Sequence, residues 1–196
     1  MNTAIIILAA GNSSRLGKPK QLLKYKEQTL LQIVTEAALT TQFHPVIVVL
    51  GAYANEIKAL HNHPDVIYIL NEQWESGMSS SIGIGINEVL KDFPDTENAI
   101  ITVADQAHIT ADVFTALYKK HQTDNKSIVT SSYSKTTGTP TLFNKKYFSK
   151  LVNLQGSVGA KDLIKQNIDD TASVPFELGS IDIDTESDYK NLINHK

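Results

Sequence analysis

The stretch of residues 5–23, IIILAAGNSSRLGKPKQLL, constrains the fold more than any other part of the chain. Ile5, Ile6, Ile7 and Leu8 form a continuous apolar run rich in β-branched residues. A strand with one wet face would alternate, so this run predicts a strand buried on both faces, as in the parallel sheets of α/β proteins. The run stops at Ala9-Ala10-Gly11. Gly11, Asn12, Ser13 and Ser14 have short side chains, so backbone N–H groups can close around a bulky anion, while Arg15, Lys18 and Lys20 supply positive charge. That combination suits a triphosphate; the plainer alternative is a polar loop after a core strand. It is not a Walker A loop, since Gly17-Lys18 is followed by Pro19 and lacks the preceding glycine spacing. Nor does G-x-G-x-x-G follow the strand.

Apolar periodicity extends this beginning into a βαβαβ pattern. Leu30, Leu31, Val34, Ala37, Ala38 and Thr41 recur at helical spacing and predict an amphipathic helix over residues 28–41. Val46–Leu50 and Val66–Leu70 read as further strands, with a short helix marked by Tyr53, Ile57 and Leu60 between them. Residues 99–103 and Ile128–Tyr133 read as the next two strands, and Gly138-Thr139-Pro140 as a turn into a short one. Residues 144–167 suggest two short helices broken near Gly156, residues 174–176 a minor strand, and residues 181–185 a half-exposed strand. Thr185 and Asp188 have capping-box spacing before a last helix burying Tyr189, Leu192 and Ile193. The expected fold is α/β: a doubly wound, mostly parallel sheet in three αβα layers, with 196 residues in a single domain. Ligands of such sheets bind beyond the carboxyl ends of the strands, where the loop after the first strand lies.

Composition narrows the chemistry. A net charge of −3 without a long run of one sign gives no general nucleic-acid surface, so any basic site is local. The absence of cysteine removes disulfides, thiolate metal sites and cysteine nucleophiles. No segment reads as a membrane span or leader, and the expected location is the cytoplasm.

Two other stretches carry chemistry. NEQWESGMSSS at residues 71–81 ends in serines opening a helix, whose hydroxyls and free N–H groups suit a flat heterocycle or a sugar; simple N-capping is the alternative. Asp105 follows the strand at 99–103 through Ala104, so its carboxylate faces the ligand edge and can hold a divalent ion beside phosphates. With Asp184 on the same edge, the set suits nucleotidyl transfer: attack on an α-phosphorus expels pyrophosphate and builds charge that cations must meet. Trp74 and Met78 either line a base pocket or pack the loop. Asp182 either supports Asp184 or is exposed. His61 and His63 read as a solvated turn, and His108 as a surface or helix-start residue.

In six segments the chain resembles the MobA-like nucleotidyltransferases, and most closely their molybdenum cofactor cytidylyltransferase branch: LAAGNSSRLGKPKQLL at 8–23, NEQWESGMSSSI at 71–82, VADQ at 103–106, GTPTLF at 138–143, GSVGAK at 156–161 and DIDTESDY at 182–189. The resemblance implies the Rossmann-like nucleotide-diphospho-sugar transferase fold. It also implies a nucleotide held by backbone at Leu8, Ala9, Ala10 and Gly11, by Ser13 and Ser14, and by Ser79, Ser80 and Ser81 near the base. Arg15 is implied on the outer phosphates and Lys20 on the α-phosphate, with Asp105 and Asp184 binding Mg²⁺. Gln106, Gly138, Pro140 and Lys161 are implied on the acceptor side. Ala-Ala-Gly is similar to the branch that uses CTP, where the guanylyl branch carries Ala-Gly-Gly. Ala107 stands where the family has proline, Ser157 where it has aspartate, Lys161 where it has arginine, and Glu186 where it has proline. These departures fall near the acceptor. A molybdopterin-type cofactor is the expected acceptor, with a molybdoenzyme or its chaperone as a further partner. The alternatives are a sugar or polyol phosphate acceptor, or a nucleotide-binding module without catalysis.

Overall fold

A computed structural model describes residues 2–133, 136–156, 159–181 and 183–194. Ser157 and Asp182 lie outside the described residues. The strands of the main sheet are β1 (Thr3–Ala9), β4 (Val46–Leu50), β5 (Val66–Leu70), β6 (Asn98–Val103), β7 (Ile128–Tyr133), β8 (Thr136–Asn144) and β9 (Thr171–Pro175); β2 (Lys24–Tyr25) and β3 (Gln28–Thr29) form a separate hairpin. The helices are α1 (Leu30–Leu39), α2 (Ala54–Leu60), α3 (Met78–Asp92), α4 (Ala111–Asp124), α5 (Phe148–Val152), α6 (Lys161–Gln166) and α7 (Glu186–Asn194).

The sheet order is β5-β4-β1-β6-β8-β7-β9. β1 is central and parallel to both neighbours, with Ile5 opposite Val46 on one side and Ile100 on the other. Its alternate residues feed two cores: Ile5, Ile7 and Ala9 pack on the face that carries α1 and α4, and Ala4, Ile6 and Leu8 on the face that carries α3 and α5. Two-sided burial is the physical reason the strand has no polar residue from Ala4 to Ala9. This is the αβα arrangement expected of the Rossmann-like nucleotide-diphospho-sugar transferase fold.

Five details differ from the sequence reading. The first helix starts at Leu30, not at residue 28, because Lys26 and Glu27 take positive φ (49° and 69°) and turn β2 back onto β3. Thr29 then caps α1, accepting from Gln32 N while the Gln32 side chain accepts from Thr29 N. Gly138-Thr139-Pro140 is not a turn but part of β8, antiparallel to both β6 and β7; a register shift between Thr130 and Ser131 lets the proline, which has no N–H to offer the ladder, sit where strand pairing is interrupted. The described part of 181–185 is not a strand. Asp188 Oδ2 accepts from Asp184 N at 3.2 Å and Thr185 N at 2.8 Å, so those backbone groups cap α7 instead of joining a ladder. Ile193 is exposed, whereas Leu192 is buried. His61, read as solvated, is buried with Nε2 3.0 Å from Thr29 Oγ1, and burial holds its pKa below the ordinary value.

A third, small core positions the site. Leu23, Tyr25, Leu30 and Ala107 enclose Ile183 and Leu192, so the C-terminal segment docks against the hairpin that follows the first loop. Ile183 thereby brings its neighbour Asp184 to the carboxyl edge of β1 and β6. Among the described residues, no helix is long and apolar enough to cross a membrane.

Candidate active site

Beyond the carboxyl ends of β1 and β6, under the start of α3, lies a cavity of about 420 Å³, a volume typical of small-ligand pockets. Strand pairing continues one step past the end of β6, with Ala104 N donating to Leu8 O, and this places Asp105 beside the first loop.

The loop is held from beneath. Ala52 N donates to Ala10 O at 3.1 Å, and a side chain at Gly51 would put its Cβ 2.5 Å from that oxygen, so only glycine allows the approach. Gln21, 2% exposed, donates through Nε2 to Ala9 O at 2.9 Å and Gly11 O at 3.1 Å. Ser13, at φ 49°, accepts from Leu16 N and Gly17 N on its carbonyl and from Lys20 N on Oγ. A Cβ at Gly11 would meet nothing within 4 Å, so that backbone faces open space.

Opposite charges converge at the mouth. Lys20 Nζ lies 2.5 Å from Asp105 Oδ2 and 3.4 Å from Asp184 Oδ1, and Arg15 Nη2 lies 2.7 Å from Asp184 Oδ2. Burial works to lower the Lys20 pKa, but the two carboxylates outweigh it and the net shift is upward. Lys18 is occupied elsewhere, 2.9 Å from Glu186 Oε2. A full positive charge thus already sits between Asp105 and Asp184. A site built around a cation fits a divalent ion through the same oxygens. Among the described residues, no group of three or more His, Cys, Asp or Glu side chains could hold a metal, so the remaining ligands would have to come from water and a bound phosphate.

The opposite wall comes from the 3₁₀ turn Trp74–Ser76 and the first turn of α3. Asn71 is fully buried; its Nδ2 donates to Ser80 Oγ at 2.8 Å and Ser81 Oγ at 3.0 Å, and its Oδ1 accepts from Gln73 N. Ser81, Trp74 and Met78 line the cavity, whereas Ser79 and Ser80 line a separate groove on the other side of α3. Ser80 Oγ is instead directed at the carbonyls of Gly77 and Gln73, at 2.8 and 3.1 Å.

Of the residues expected at a nucleotide site, Leu8, Ala10, Gly11, Lys20, Ser81 and Asp105 line the cavity. Ala9, Ser13, Ser14 and Arg15 do not; Ser13 shapes the loop from inside, and Arg15 is an exposed side chain on Asp184. Asp184 is joined through Lys20. On the expected acceptor side, Gln106 is buried and spent internally, accepting from Thr102 Oγ1 and donating to Thr139 O, each at 2.8 Å. That makes it a tether to β8 rather than a free ligand group. Gly138, Pro140 and Lys161 are outside the cavity lining. His108 stacks edge-on to Tyr25 with ring centroids 5.5 Å apart, and burial together with Lys26 lowers its pKa. Gln21 and Glu75, not singled out in the sequence, also line the cavity. The only trace of Gln21 there is its place directly after Lys20.

Comparison with known proteins adds further findings. Residues 5–171 match the model of the MobA-like NTP transferase domain. The molybdenum cofactor cytidylyltransferase of Escherichia coli K12 is 27% identical over 188 residues, 94% of this chain and 92% of that protein. The nicotine blue oxidoreductase of Paenarthrobacter nicotinovorans is 42% identical over 77 residues, but the match spans only 38% of that protein and 39% of this chain. Among solved structures, Rv0371c of Mycobacterium tuberculosis H37Rv superposes with a TM-score of 0.87 at 25% identity, covering 98% of this chain and 97% of the other. A second crystal structure of Rv0371c is a complex with manganese, similar at 22% identity and a TM-score of 0.84.

Proposed function

Since the chain belongs to the MobA-like NTP transferase domain family and is thus a nucleotidyltransferase, we propose that it is a cytoplasmic, Mg²⁺-dependent enzyme transferring CMP from CTP to the phosphate of a molybdopterin-type cofactor, for delivery to a molybdoenzyme or its chaperone. The observation that carries this reading is the placement of Lys20 Nζ between Asp105 and Asp184 at the cavity mouth. The likeness over 94% of the chain to a cytidylyltransferase supports the donor and acceptor.

In this reading the N–H groups of the loop after β1 and Ser81 orient the nucleotide, and Trp74 offers an aromatic face to its base. Lys20 and Arg15 exchange their carboxylate partners for phosphate oxygens when the triphosphate arrives. Asp105 and Asp184, released by these cations, would hold the Mg²⁺, whose charge would neutralise phosphate oxygens and polarise the phosphorus under attack. An oxygen of the acceptor phosphate forms the new P–O bond as the α–β bridge breaks and pyrophosphate leaves with the electron pair. That oxygen is already anionic, so no general base is needed; positioning and charge neutralisation supply the rate. A sugar or polyol phosphate acceptor would use the same residues.

A second reading follows from the match to an oxidoreductase: a redox cofactor nucleotide in the same cavity. It leaves the paired carboxylates without a task. One titration separates the two. Trp74 is the only tryptophan and lines the cavity, so its fluorescence reports occupancy. With Mg²⁺ present, CTP should give a saturable change at lower concentration than ATP, GTP or UTP; a response to NADH or NADPH, measured under excitation that excludes their own absorbance, with none to CTP would favour the redox reading.

A further inference from the structure

Resting on the nucleotide reading above, we infer that Gln21 is a positioning residue of the triphosphate loop, setting nucleotide affinity without touching the nucleotide's reacting atoms. The three consecutive carbonyls of Ala9, Ala10 and Gly11, where β1 runs out, are each engaged by a donor of the protein. Ala10 O is held by Ala52 N, and Ala9 O and Gly11 O, two residues apart, are both held by the single side-chain amide of Gln21. A polyanion approaching this loop would be repelled by free carbonyl oxygens and attracted by N–H groups, so occupying all three carbonyls with donors decides whether the loop can serve as an anion cradle. The Ala52 contact fixes only the middle carbonyl. The outer two depend on Gln21.

The amide can sit only one way round. With its ends exchanged, Oε1 would face two carbonyl oxygens, an acceptor against two acceptors. In the orientation adopted, Oε1 is buried with no hydrogen-bond partner among the described residues. Leaving a buried acceptor unpaired is costly, so the two bonds made by Nε2 must outweigh that loss. Because Gln21 directly follows Lys20 in the 3₁₀ turn Lys20–Leu22, the same clamp fixes the backbone from which Lys20 reaches Asp105.

The test uses two near-isosteric variants. Gln21→Glu sets a carboxylate oxygen against the two carbonyls, and Gln21→Met removes both donors while filling the space. Each should raise KM for the nucleotide at least about tenfold, with kcat changed less than about threefold and KM for the acceptor unmoved. Direct binding followed by Trp74 fluorescence should weaken by the same factor. A merely structural role would lower Tm and the active fraction, hence kcat, and leave KM for the nucleotide alone; that result overturns the inference. If Gln21→Glu does not fold, Gln21→Met decides. If the wild-type protein binds no nucleoside triphosphate, the nucleotide reading itself fails and Gln21 loses its role with it. If the wild type binds and both variants bind equally well, only the inference about Gln21 fails.

Discussion

Replacing Asp105 by Asn should lower the nucleotidyl-transfer rate by at least about 10³-fold, because a neutral amide cannot supply the charge that a hard cation beside phosphates requires. The side chain keeps its size, and the residue is 8% exposed, so a change in bulk would confuse the outcome where a change in charge does not. Lys20 loses its 2.5 Å partner but keeps Asp184 at 3.4 Å, so its ammonium is not left without a counter-charge and the fold should persist. The rate is read as pyrophosphate release with CTP, Mg²⁺ and molybdopterin, and the fold by circular dichroism. Mg²⁺-dependent release at the wild-type rate from a folded variant would contradict the role given to Asp105.

Lys20→Met should act differently. A cation that leaves its carboxylates and meets the α-phosphate acts most strongly where charge is greatest, in the transition state. The expected result is a fall in kcat of roughly 10²- to 10³-fold with KM for CTP changed less than about fivefold. The variant also frees Asp105 from its counter-ion and leaves Asp184 with Arg15 alone, so it should bind a divalent cation in the absence of nucleotide better than the wild type does. A loss confined to KM, with kcat intact, would make Lys20 a nucleotide-binding group and nothing more.

The sequence was most legible where one physical requirement dominated. The run Ala4 to Ala9 could be a strand only if both faces were buried, and it is. Asp105, one small residue past a parallel strand, had to lie at the ligand edge. Asp184 was expected at the ligand edge although its own stretch read as a strand, and only the packing of Ile183 against Leu23, Tyr25 and Leu30 explains how it reaches Lys20 across the fold. The serines at 79–81 read alike in sequence, yet a helix turns each successive residue by about 100°, so Ser81 faces the cavity while Ser79 and Ser80 face the groove behind it. Gln106 carries no mark in sequence of being committed to Thr102 and Thr139. Gln21 was hidden because its partners are main-chain carbonyls, which leave no residue pattern.

The central claim is that a cation shared by Asp105 and Asp184 and a nucleotide triphosphate occupy one site together. It is tested most directly by titrating Mn²⁺ and following its free electron paramagnetic resonance signal with and without CTP. In the ligand-free protein Lys20 holds both carboxylates, so Mn²⁺ should bind weakly; CTP should tighten its binding beyond that of CTP and Mn²⁺ in buffer, and the gain should vanish in Asp105→Asn and in Asp184→Asn. Mn²⁺ uptake that is equally tight without nucleotide, or a gain that survives both substitutions, would contradict the account.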